Sequence, residues 1–292
     1  MHLGILADAQ SWYFRDLSRA ARDAGHECTR LEFAQLAGGV SENRATFGPP
    51  SGDGGLNGVD CVLVRSMPLG SLEQVVFRMD VLARLEGAGV PVVNPPKSLE
   101  CAIDKYLTTS RLAAAGLPVP DTVVCQTTDE ALAAREQLGG DVVVKPLFGA
   151  EGRGIVRVSD TDMGWRVFST LERIGAVLYL QRYIDHGGSD VRVLVLGGRV
   201  LGGMKRIATT GFRTNVSQQG RAEQHPPTDR EADLALRAVA AVGAQFAGVD
   251  LLYDRDGRCH VIEVNGVPGW KAFARVNEMD VAAAFVEWLG TL

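Results

Sequence analysis

One stretch of the chain decides the fold, and it reads VVVKPLFGAEGRGIV over residues 142–156. Its β-branched opening predicts a buried strand that ends at Lys145, and the glycines that follow predict a loop leading into a second strand. These glycines, Gly149, Gly152 and Gly154, let backbone N–H groups approach a polyphosphate, and the lysine adds a point charge. The stretch is not a Walker A loop, because no G-K-[ST] sequence opens a helix. On its own it fits a glycine-rich β-hairpin with a solvated lysine equally well.

Two apolar segments nearer the end of the chain each contain a carboxylate. Asp250 lies in the segment AGVDLL, and Glu263 lies in the segment VIEVN that ends at Asn265. A carboxylate in an apolar strand is costly unless a cation or hydrogen bonds compensate its burial. One residue separates Glu263 from Asn265, so in a strand their side chains lie on the same face. Two carboxylates and an amide oxygen form an all-oxygen set suited to Mg²⁺, and the alternative is a plain salt-bridged hairpin.

A third signal is a run of cationic residues. Lys205 and Arg206 are followed by the sequence Phe212-Arg213-Thr214-Asn215. Arginine presents a planar fork that matches phosphate or carboxylate. Exposed strands often carry such residues towards solvent, so the run by itself predicts a solvated face rather than a site.

The first third of the chain alternates strand and helix signals. This alternation predicts a small parallel sheet with helices packed on it, which is an α/β arrangement. The capping box Ser71-Leu-Glu-Gln74 predicts a helix start, and the Gly/Ser-rich residues 38–58 predict a loop. The predicted strands are 3–7, 61–64 and 90–93, and the predicted helices are 14–24 and 71–86.

The rest of the chain predicts two further groups of strands and helices. A helix over 98–115 is expected to end at Gly116, before Pro118 and Pro120. Capping boxes at Thr127-Thr-Asp-Glu130 and Thr228-Asp-Arg-Glu231 predict two more helix starts. The predicted strands are 123–124, 142–144, 177–184, 191–196, 200–204, 248–253 and 258–264, and the later helices are 230–246 and 281–289.

The composition excludes several classes of protein. Lys and Arg number 30 against 35 Asp and Glu, and the resulting net charge of −5 argues against nucleic acid as the main partner. The five cysteines are scattered without a C-x-x-C pair, which predicts reduced thiols, a cytoplasmic location and no zinc site. The opening residues lack the basic region of a signal peptide, and no apolar run reaches about 18 residues, so no association with a membrane is expected.

Taken together, these segments resemble the ATP-grasp superfamily and, within it, the RimK-like α-L-glutamate ligases. The resemblance is close from about residue 90 onwards and looser before it. One such motif is weak support, whereas several in order at family-like separations are strong. The motifs are, in order, Asp104-Lys105, Val144-Lys145, Gly149 to Gly154, Leu180-Gln181 with Tyr183-Ile184, Asp190-x-Arg192, Phe212-Arg213-Thr-Asn215, Gly248-Val-Asp250 and Glu263-Val-Asn265.

The resemblance implies an α/β and α+β architecture, namely the ATP-grasp fold preceded by a Rossmann-like pre-ATP-grasp domain. Residues 1–97 would form that first domain. Residues 98–185 would form the central ATP-grasp subdomain with a glycine-rich lid, and residues 186–292 the C-terminal ATP-grasp subdomain with the metal site. The two subdomains would grip ATP between them.

The resemblance also assigns parts of ATP to residues. Lys105 and Lys145 would contact the phosphates, and Asp190 would hold the ribose. The lid would contain Gly149, Gly152 and Gly154, and the hinge beside adenine would consist of Gln181, Arg182, Tyr183 and Ile184. Two residues depart from the family pattern. Arg182 stands where glutamate is usual, which puts base selectivity in question, and Ala150 stands where serine or threonine is common, which removes a lid hydroxyl.

The metal and the reacting groups would lie on the C-terminal subdomain. Arg213 and Asn215 would lie beside the transferring phosphate. Arg206 and Arg213 would stabilise the acylphosphate or the tetrahedral intermediate. The ion, Mg²⁺ or alternatively Mn²⁺, would be held by Asp250, Glu263 and Asn265.

The activity implied by the resemblance is ATP-dependent amide formation. A substrate carboxylate attacks the γ-phosphoryl group of ATP to form an acylphosphate, and an amine then displaces phosphate. The pattern looks most like ligases that add L-glutamate to a small-molecule carboxylate acceptor, a cofactor precursor of the tetrahydromethanopterin or methanofuran type. Residues 65–68 would contact that acceptor. Similar proteins are dimers or tetramers, so a homo-oligomer is expected.

Three other functions remain open from the sequence. Ribosomal-protein glutamate ligases share the motifs. The lysine-biosynthesis ligase shares the D-K-x-x-T pattern at Asp104 to Thr108, although Asn265-Gly-Val-Pro-Gly269 looks more like the RimK-type ending. The third is a non-catalytic ATP-binding interaction module. Retention of the whole transfer site, including Arg213 and Asp250, favours an enzyme, because an ATP sensor does not need it.

Overall fold

The computed structural model describes residues 1–42, 44–48, 56, 58–149, 152–208 and 221–292. These residues form four sheets and the helices that pack on them. The strands are β1 His2–Leu6, β2 Glu27–Leu31, β3 Gly38–Ser41, β4 Arg44–Phe47, β5 Cys61–Val64, β6 Val92–Val93, β7 Thr122–Cys125, β8 Val142–Lys145, β9 Val156–Val158, β10 Leu178–Arg182, β11 Ser189–Leu196, β12 Arg199–Ile207, β13 Arg221–Gln224, β14 Phe246–Tyr253 and β15 Cys259–Asn265. The helices are α1 Trp12–Asp23, α2 Leu72–Gly87, α3 Pro96–Ile103, α4 Lys105–Ala114, α5 Thr128–Gln137, α6 Thr161–Arg173, α7 Asp229–Val242, α8 Lys271–Asn277 and α9 Val281–Leu289.

The first sheet is parallel and has the order β2-β1-β5-β6, as the alternating signals predict. Strand β5 is buried along its whole length, which is typical of a parallel sheet covered on both faces. Ser71 and Gln74 form the predicted capping box at the start of α2. Strand β1 pairs with β2 on one side and with β5 on the other, so the strand order reverses between β1 and β5. Ligands of open α/β sheets bind at the carboxyl ends of strands beside such a point.

Residues 38–58 differ from the predicted loop. Strands β3 and β4 form an antiparallel hairpin in which Gly38 pairs with Phe47. Phe47 packs against the buried side chains between the first sheet and α2. Leu56 of the same stretch is buried in this cluster as well. These two apolar side chains hold the glycine-rich stretch in place, and composition does not reveal them. Residues 43, 49–55 and 57 lie outside the described residues.

The helix predicted over 98–115 is two helices, α3 and α4. Asp104 separates them with an extended backbone, φ −95° and ψ 105°. Its carboxylate accepts a hydrogen bond from the N–H of Leu107 at 2.9 Å, and such an N-cap starts a new helix. The break therefore places Lys105 at the first position of α4.

The helix predicted over 230–246 also differs, because it ends at Val242. Gly243 follows in the left-handed conformation, φ 77°, which is the usual stop for a helix. Phe246 then begins β14 instead of ending the helix. The predicted capping box of Thr228 and Glu231 is present at the other end.

The central sheet is antiparallel and has the order β7-β10-β8-β9. Helices α5 and α6 pack on it and give it a hydrophobic core of its own. We call residues 120–185 the central unit. The core of this unit contains Ala131, Ala134, Leu138, Val142, Val144, Val158, Phe168, Leu178 and Leu180.

The C-terminal sheet is antiparallel, with the order β13-β12-β11-β14-β15. One face packs on α7 and on Cys101, Leu112 and Leu117, which come from α3, α4 and the residues just after them. The other face shares a single core with the first sheet, in which Leu3 and Leu63 pack in one cluster with side chains such as Trp270 and Phe285. We call residues 1–119 and 186–292 together the platform.

The two sheets of the platform are also joined by hydrogen bonds to one buried side chain. The Asn94 amide nitrogen donates to the carbonyls of Phe246 (2.7 Å) and Gly266 (2.5 Å). The Asn94 amide oxygen accepts from the N–H groups of Gln245 (2.7 Å) and Phe246 (2.8 Å). The division at residues 97 and 185 stays a prediction, but packing and hydrogen bonds unite the first and last of the three parts. In the described ranges, no helix is long and apolar enough to span a membrane.

Candidate active site

A cleft lies between the central unit and the platform. Residues of the central unit that line it come from β8, the loop before β9, β10 and the segment after β10. Residues of the platform come mainly from α3, α4, β11, β12, β14 and β15. Eleven residues predicted from the sequence line this one cleft. They are Lys105, Lys145, Gly152, Gln181, Arg182, Tyr183, Ile184, Asp190, Arg206, Asp250 and Glu263.

Two lysines reach the cleft from opposite sides. Lys105, on α4 of the platform, donates to the carbonyl of Gly149 at 2.8 Å. Lys145, at the end of β8, donates to the side-chain oxygen of Gln181 at 2.7 Å. Burial lowers the pKa of Lys145, Glu263 opposes this shift and Lys105 adds to it, and the result is a pKa of about 8. Burial also lowers the pKa of Lys105. Among the residues that the structure describes, no carboxylate forms an ion pair with either ammonium, so both suit an incoming polyanion.

Part of the cleft lining is apolar, and we call this part the apolar slot. Its walls combine residues of the central unit with residues of the C-terminal sheet, so the slot exists only where the two units meet. An uncharged flat ring suits such walls, since the contact is made by branched aliphatic side chains. The apolar residues are Val143, Ile155, Ile184, Leu252 and Ile262.

The predicted hinge, at the end of β10, is held by partners on the central unit. The N–H of Arg182 donates to the carbonyl of Asp121 at 2.9 Å, and the N–H of Tyr183 to that of Asp141 at 3.0 Å. The Arg182 guanidinium forms an ion pair with the Asp121 carboxylate. The Tyr183 ring is covered by Arg157, whose Cζ lies 3.6 Å from the ring centroid. The cation at position 182 is therefore neutralised by a partner on the central unit.

The C-terminal sheet presents a row of charges to the cleft. Strand register produces this row, because Asp190 pairs with Arg206 across β11 and β12, Arg192 with Asp250 across β11 and β14, and Asp250 with Glu263 across β14 and β15. The pairing of β14 with β15 shifts between Asp250 and Leu251, and Ile262 is the extra residue of β15 at this shift. Ile262 and Glu263 therefore both face the cleft. We call these five charged residues the charge ladder.

Arg206 is the buried centre of the charge ladder, with a side chain 3% exposed. Its Nε and Nη2 donate to the two oxygens of Asp190 at 2.7 and 2.5 Å. The same Nη2 lies 2.8 Å from Asp250. Burial alone lowers the pKa of Arg206, but Asp250 and Asp190 outweigh it and hold the pKa above its ordinary value. In these contacts Arg206 uses Nε and Nη2.

Asp250 is held by a second arginine. Arg192 donates from Nε and Nη2 to its two oxygens at 2.6 and 2.7 Å. Burial raises the pKa of Asp250, but Arg192 and Arg206 outweigh it and lower the pKa to about 2. Asp250 is therefore a carboxylate at any physiological pH.

The predicted metal ligands fit a hard cation by their chemistry. Asp250 is ionised, and within the described residues no donor hydrogen-bonds the Glu263 carboxylate. Asn265 shares the face of Glu263, and its side-chain oxygen accepts only the N–H of Val267 at 3.0 Å. The described chain has no cluster of three or more His, Cys, Asp or Glu side chains that holds a metal alone. A Mg²⁺ ion here would therefore need the amide of Asn265 and phosphate oxygens as well.

The other predicted residues lie at the edge of the cleft or outside the description. Gly154 has φ +73°, and a Cβ there would lie 2.8 Å from Pro146, so glycine is required. Gly149 contacts the site through its carbonyl, as described above. Arg213 and Asn215, with the departure at Ala150, lie outside the described residues.

Arg65 differs from its predicted role as an acceptor contact. Its side chain is 7% exposed and donates to the carbonyl of Pro268 at 2.7 Å. The guanidinium lies 4.4 Å from the centroid of Trp270 and 5.2 Å from that of Tyr13. Burial lowers the pKa of Arg65 to about 10. Arg65 is thus part of the joint between the two sheets, because the chain after β5 turns it inwards.

Sequence reasoning gave no role to three residues that organise the cleft. Arg192 orients Asp250, and Tyr179 and Thr109 line the cleft beside Lys145. Tyr179 and Gln181 are two residues apart in a strand, so the sequence does indicate that their side chains lie on the same face of the sheet. Thr109 and Arg192 gave no such signal, because their partners are distant in the chain.

The fold and cleft are those of an ATP-grasp protein. The solved structure of the ATP-grasp ligase PsnB complexed with minimal precursor, Mg and ADP superposes with a TM-score of 0.77, at 20% identity, over 99% of this chain and 96% of that chain. This likeness confirms the predicted fold class.

The family model for the RimK-like ATP-grasp domain matches residues 102–289, and the chain belongs to this family. The tetrahydromethanopterin:α-L-glutamate ligase of Methanosarcina acetivorans is 31% identical over 98% of this chain and 98% of that protein. The glutamate–LysW ligase ArgX of Sulfolobus acidocaldarius is 30% identical over 71% of this chain and 75% of that protein. The predicted resemblance to RimK-like ligases is confirmed.

Proposed function

We propose that this protein is an ATP- and Mg²⁺-dependent ligase that adds L-glutamate to a small-molecule carboxylate acceptor of the tetrahydromethanopterin or methanofuran type. The observation that carries the proposal is the cleft, whose lining combines Lys105 and Lys145 with Asp250, Glu263 and the apolar slot. The near full-length similarity to a tetrahydromethanopterin:α-L-glutamate ligase supports the choice of substrates.

The nucleotide would occupy the cleft from the slot to the lysines. The base would lie between Ile184 and Leu252. The phosphates would replace Gly149 as the partner of Lys105 and would bind the Lys145 ammonium alongside Gln181. Asp190 would accept a hydrogen bond from the ribose while it keeps its ion pair with Arg206. Asp250, Glu263 and Asn265 would hold Mg²⁺, or alternatively Mn²⁺, which would neutralise charge on the phosphates.

The reaction needs charge neutralisation more than it needs a nucleophilic side chain. The acceptor carboxylate and ATP repel each other, so lysine and arginine must hold both while an acceptor oxygen attacks the γ-phosphorus and ADP leaves. The amine of glutamate then attacks the acyl carbon, and phosphate leaves as the amine loses its proton. Arg206 would donate to the oxyanion of that step, and Arg213 would assist. Closure of residues 149–154 would exclude the water that destroys acylphosphates.

The acceptor would bind on the platform beside the cleft. Between β1 and β5 the strand order of the first sheet reverses, and Ser66 and Met67 lie half-buried at the carboxyl end of β5. This position favours Ser66 and Met67 over the buried Arg65 as acceptor contacts. The family resemblance also supports a cytoplasmic homo-oligomer, a dimer or tetramer.

A carrier-protein acceptor is the second candidate. Similarity to the glutamate–LysW ligase ArgX supports it, although that similarity covers less of the chain than the similarity to the tetrahydromethanopterin ligase. The two candidates share the nucleotide cleft and differ only in what binds beside it.

The test is ADP release from Mg·ATP with and without L-glutamate, with mass spectrometry of products. The acceptor panel contains pterin and furan cofactor precursors, a ribosomal-protein C-terminal peptide, LysW-type carrier protein and 2-aminoadipate. We expect one glutamyl unit on a pterin or furan acceptor, with a loss of about a hundredfold or more in Glu263→Gln. Glu287→Gln makes the same change on an exposed face of α9 and should keep full activity. Tight ATP binding without turnover on any acceptor would contradict the proposal and favour a binding module.

A further inference from the structure

The side-chain amide of Gln181 contacts Lys145 rather than the apolar slot. Tyr179 stands opposite Lys145 in the antiparallel register of β10 and β8, and Gln181 follows Tyr179 on the same face. Gln181 is 3% exposed, and its oxygen accepts from the Lys145 ammonium at 2.7 Å. An ammonium only donates hydrogen bonds, so this contact requires the oxygen and fixes which way the amide faces.

The other end of the amide is held just as firmly. Its nitrogen donates to the hydroxyl of Thr122 and to that of Tyr179, both at 3.1 Å. Thr122 stands opposite Gln181 in the register of β10 and β7, so three neighbouring strands meet at this amide. With both N–H bonds and the oxygen engaged, Gln181 has no free donor for adenine.

The network continues into the platform. The Tyr179 hydroxyl is 2.8 Å from the hydroxyl of Thr109, and these residues are 1% and 8% exposed. Thr109 lies one helical turn after Lys105 on α4, on the same face. A continuous chain of buried hydrogen bonds therefore links Lys145 on the central unit to the helix that begins with Lys105.

We propose that Gln181 is a positioning residue, which holds the Lys145 ammonium at the site of the terminal phosphates and, through Tyr179 and Thr109, fixes it relative to helix α4. The inference rests on the proposed nucleotide site and deepens it. Gln181 is a neutral partner, so it orients the ammonium without giving it a counter-ion that phosphate would have to displace. A carboxylate in its place would compete with the nucleotide for the same charge.

The test compares two nucleotides that differ in their phosphates. Binding of Mg·AMPPNP and of AMP to the full chain is measured by titration calorimetry for wild type and Gln181→Met. We expect about a tenfold weakening for Mg·AMPPNP and less than about a twofold change for AMP, because only AMPPNP reaches Lys145 with its terminal phosphates. Equal weakening of both nucleotides would overturn the inference in favour of a hinge contact to adenine.

A double-mutant cycle separates positioning from general stability. Lys145→Met removes the group that Gln181 positions, so Gln181→Met is expected to cost less than about twofold in Mg·AMPPNP affinity when added to it. Additive losses would show that Gln181 acts independently of Lys145, and the inference would fail.

Two further variants keep the test decisive if Gln181→Met does not fold. Tyr179→Phe keeps the ring and removes one hydroxyl, and it should weaken Mg·AMPPNP selectively but less than Gln181→Met. Gln181→Glu keeps an acceptor and should also weaken Mg·AMPPNP more than AMP, since the new carboxylate competes for Lys145. If wild type binds Mg·AMPPNP and both variants bind it with unchanged affinity, the inference is refuted and the proposed function stands. Failure of wild type to bind Mg·AMPPNP removes both.

Discussion

The molecule contains two joints of opposite character. Inside the platform, the first sheet and the C-terminal sheet share one buried core, and Asn94 alone makes four hydrogen bonds between them. Between the platform and the central unit lies a cleft with ammonium groups and carboxylates on its walls. The first joint excludes water and the second is built to receive a charged ligand.

This difference indicates which parts of the molecule act as one body. A joint made of apolar side chains and satisfied backbone groups resists opening, because every exposed group costs free energy. The cleft is bridged by few polar contacts, such as that of Lys105 with Gly149 and that of Thr109 with Tyr179. We therefore expect the platform to hold the metal ligands and acceptor in fixed relation, and the central unit to move against it about the Thr109–Tyr179 contact, which keeps Lys145 beside α4.

The largest expected effect comes from breaking the first joint at Asn94. Asn94→Ala leaves two N–H groups and two carbonyls, those of Gln245, Phe246 and Gly266, buried without partners. We expect a loss of about 4 kcal/mol in the free energy of unfolding, measured by urea denaturation. Lys97→Ala, which removes an exposed ion pair with Glu100, is the matched control and should change stability by less than about 0.5 kcal/mol. A loss below about 1 kcal/mol in Asn94→Ala would mean that the joint is not closed as described.

Asn94 also marks the limit of prediction from sequence. In Asn94-Pro95-Pro96 it looks like the end of a strand, and nothing nearby in the chain indicates its partners near residues 245 and 266. Helix starts at Ser71 and Thr228 were predicted because a capping box is local. The joining of two sheets into one platform depends on packing, which local patterns do not encode.

The contrast between local signals and contacts of distant residues also holds within the site. Residues such as Lys145, Asp250 and Glu263 were predicted to act together, and the structure brings them to one cleft. Their motifs are short segments with unusual polar residues in apolar strands, and that is a local signal. Arg192 was passed over because its value lies in a register partner on another strand, Asp250.

The second prediction concerns the pH dependence of the cleft, and its expected effect is intermediate. The pKa of Lys145 is lowered from 10.5 to about 8 in the folded protein. Above pH 8 the free protein loses this charge, while bound phosphate favours the ammonium, so affinity for Mg·AMPPNP should fall by up to about tenfold per pH unit. Asp250, with a pKa of about 2, stays ionised throughout this window.

Calorimetric titration between pH 7 and 9.5 measures this slope, and Lys145→Arg is its control. Guanidinium stays charged over the whole range, so the slope should become shallower and retain only the contribution of Lys105. Between pH 8 and 10.5 the unfolded chain holds more protons at Lys145 than the folded chain, so this residue makes the free energy of unfolding rise with pH. Affinity and stability should therefore change in opposite directions, and a parallel change would contradict the assignment of Lys145 to the phosphates.

The smallest expected effect lies at Arg182, a half-exposed residue of the cleft lining. The side chains of Arg182 and Asp121 are 51% and 59% exposed, and such pairs contribute little to stability. We expect Arg182→Ala to change the free energy of unfolding by less than about 0.5 kcal/mol. It should also leave the ratio of ATP to GTP affinity within about twofold, because the Arg182 charge is directed to Asp121 and the apolar slot is built by other residues. A clear shift towards GTP in Arg182→Ala would show that this cation, and not the slot, selects the base. The departure from the family at this position would then belong to the nucleotide site rather than to the surface.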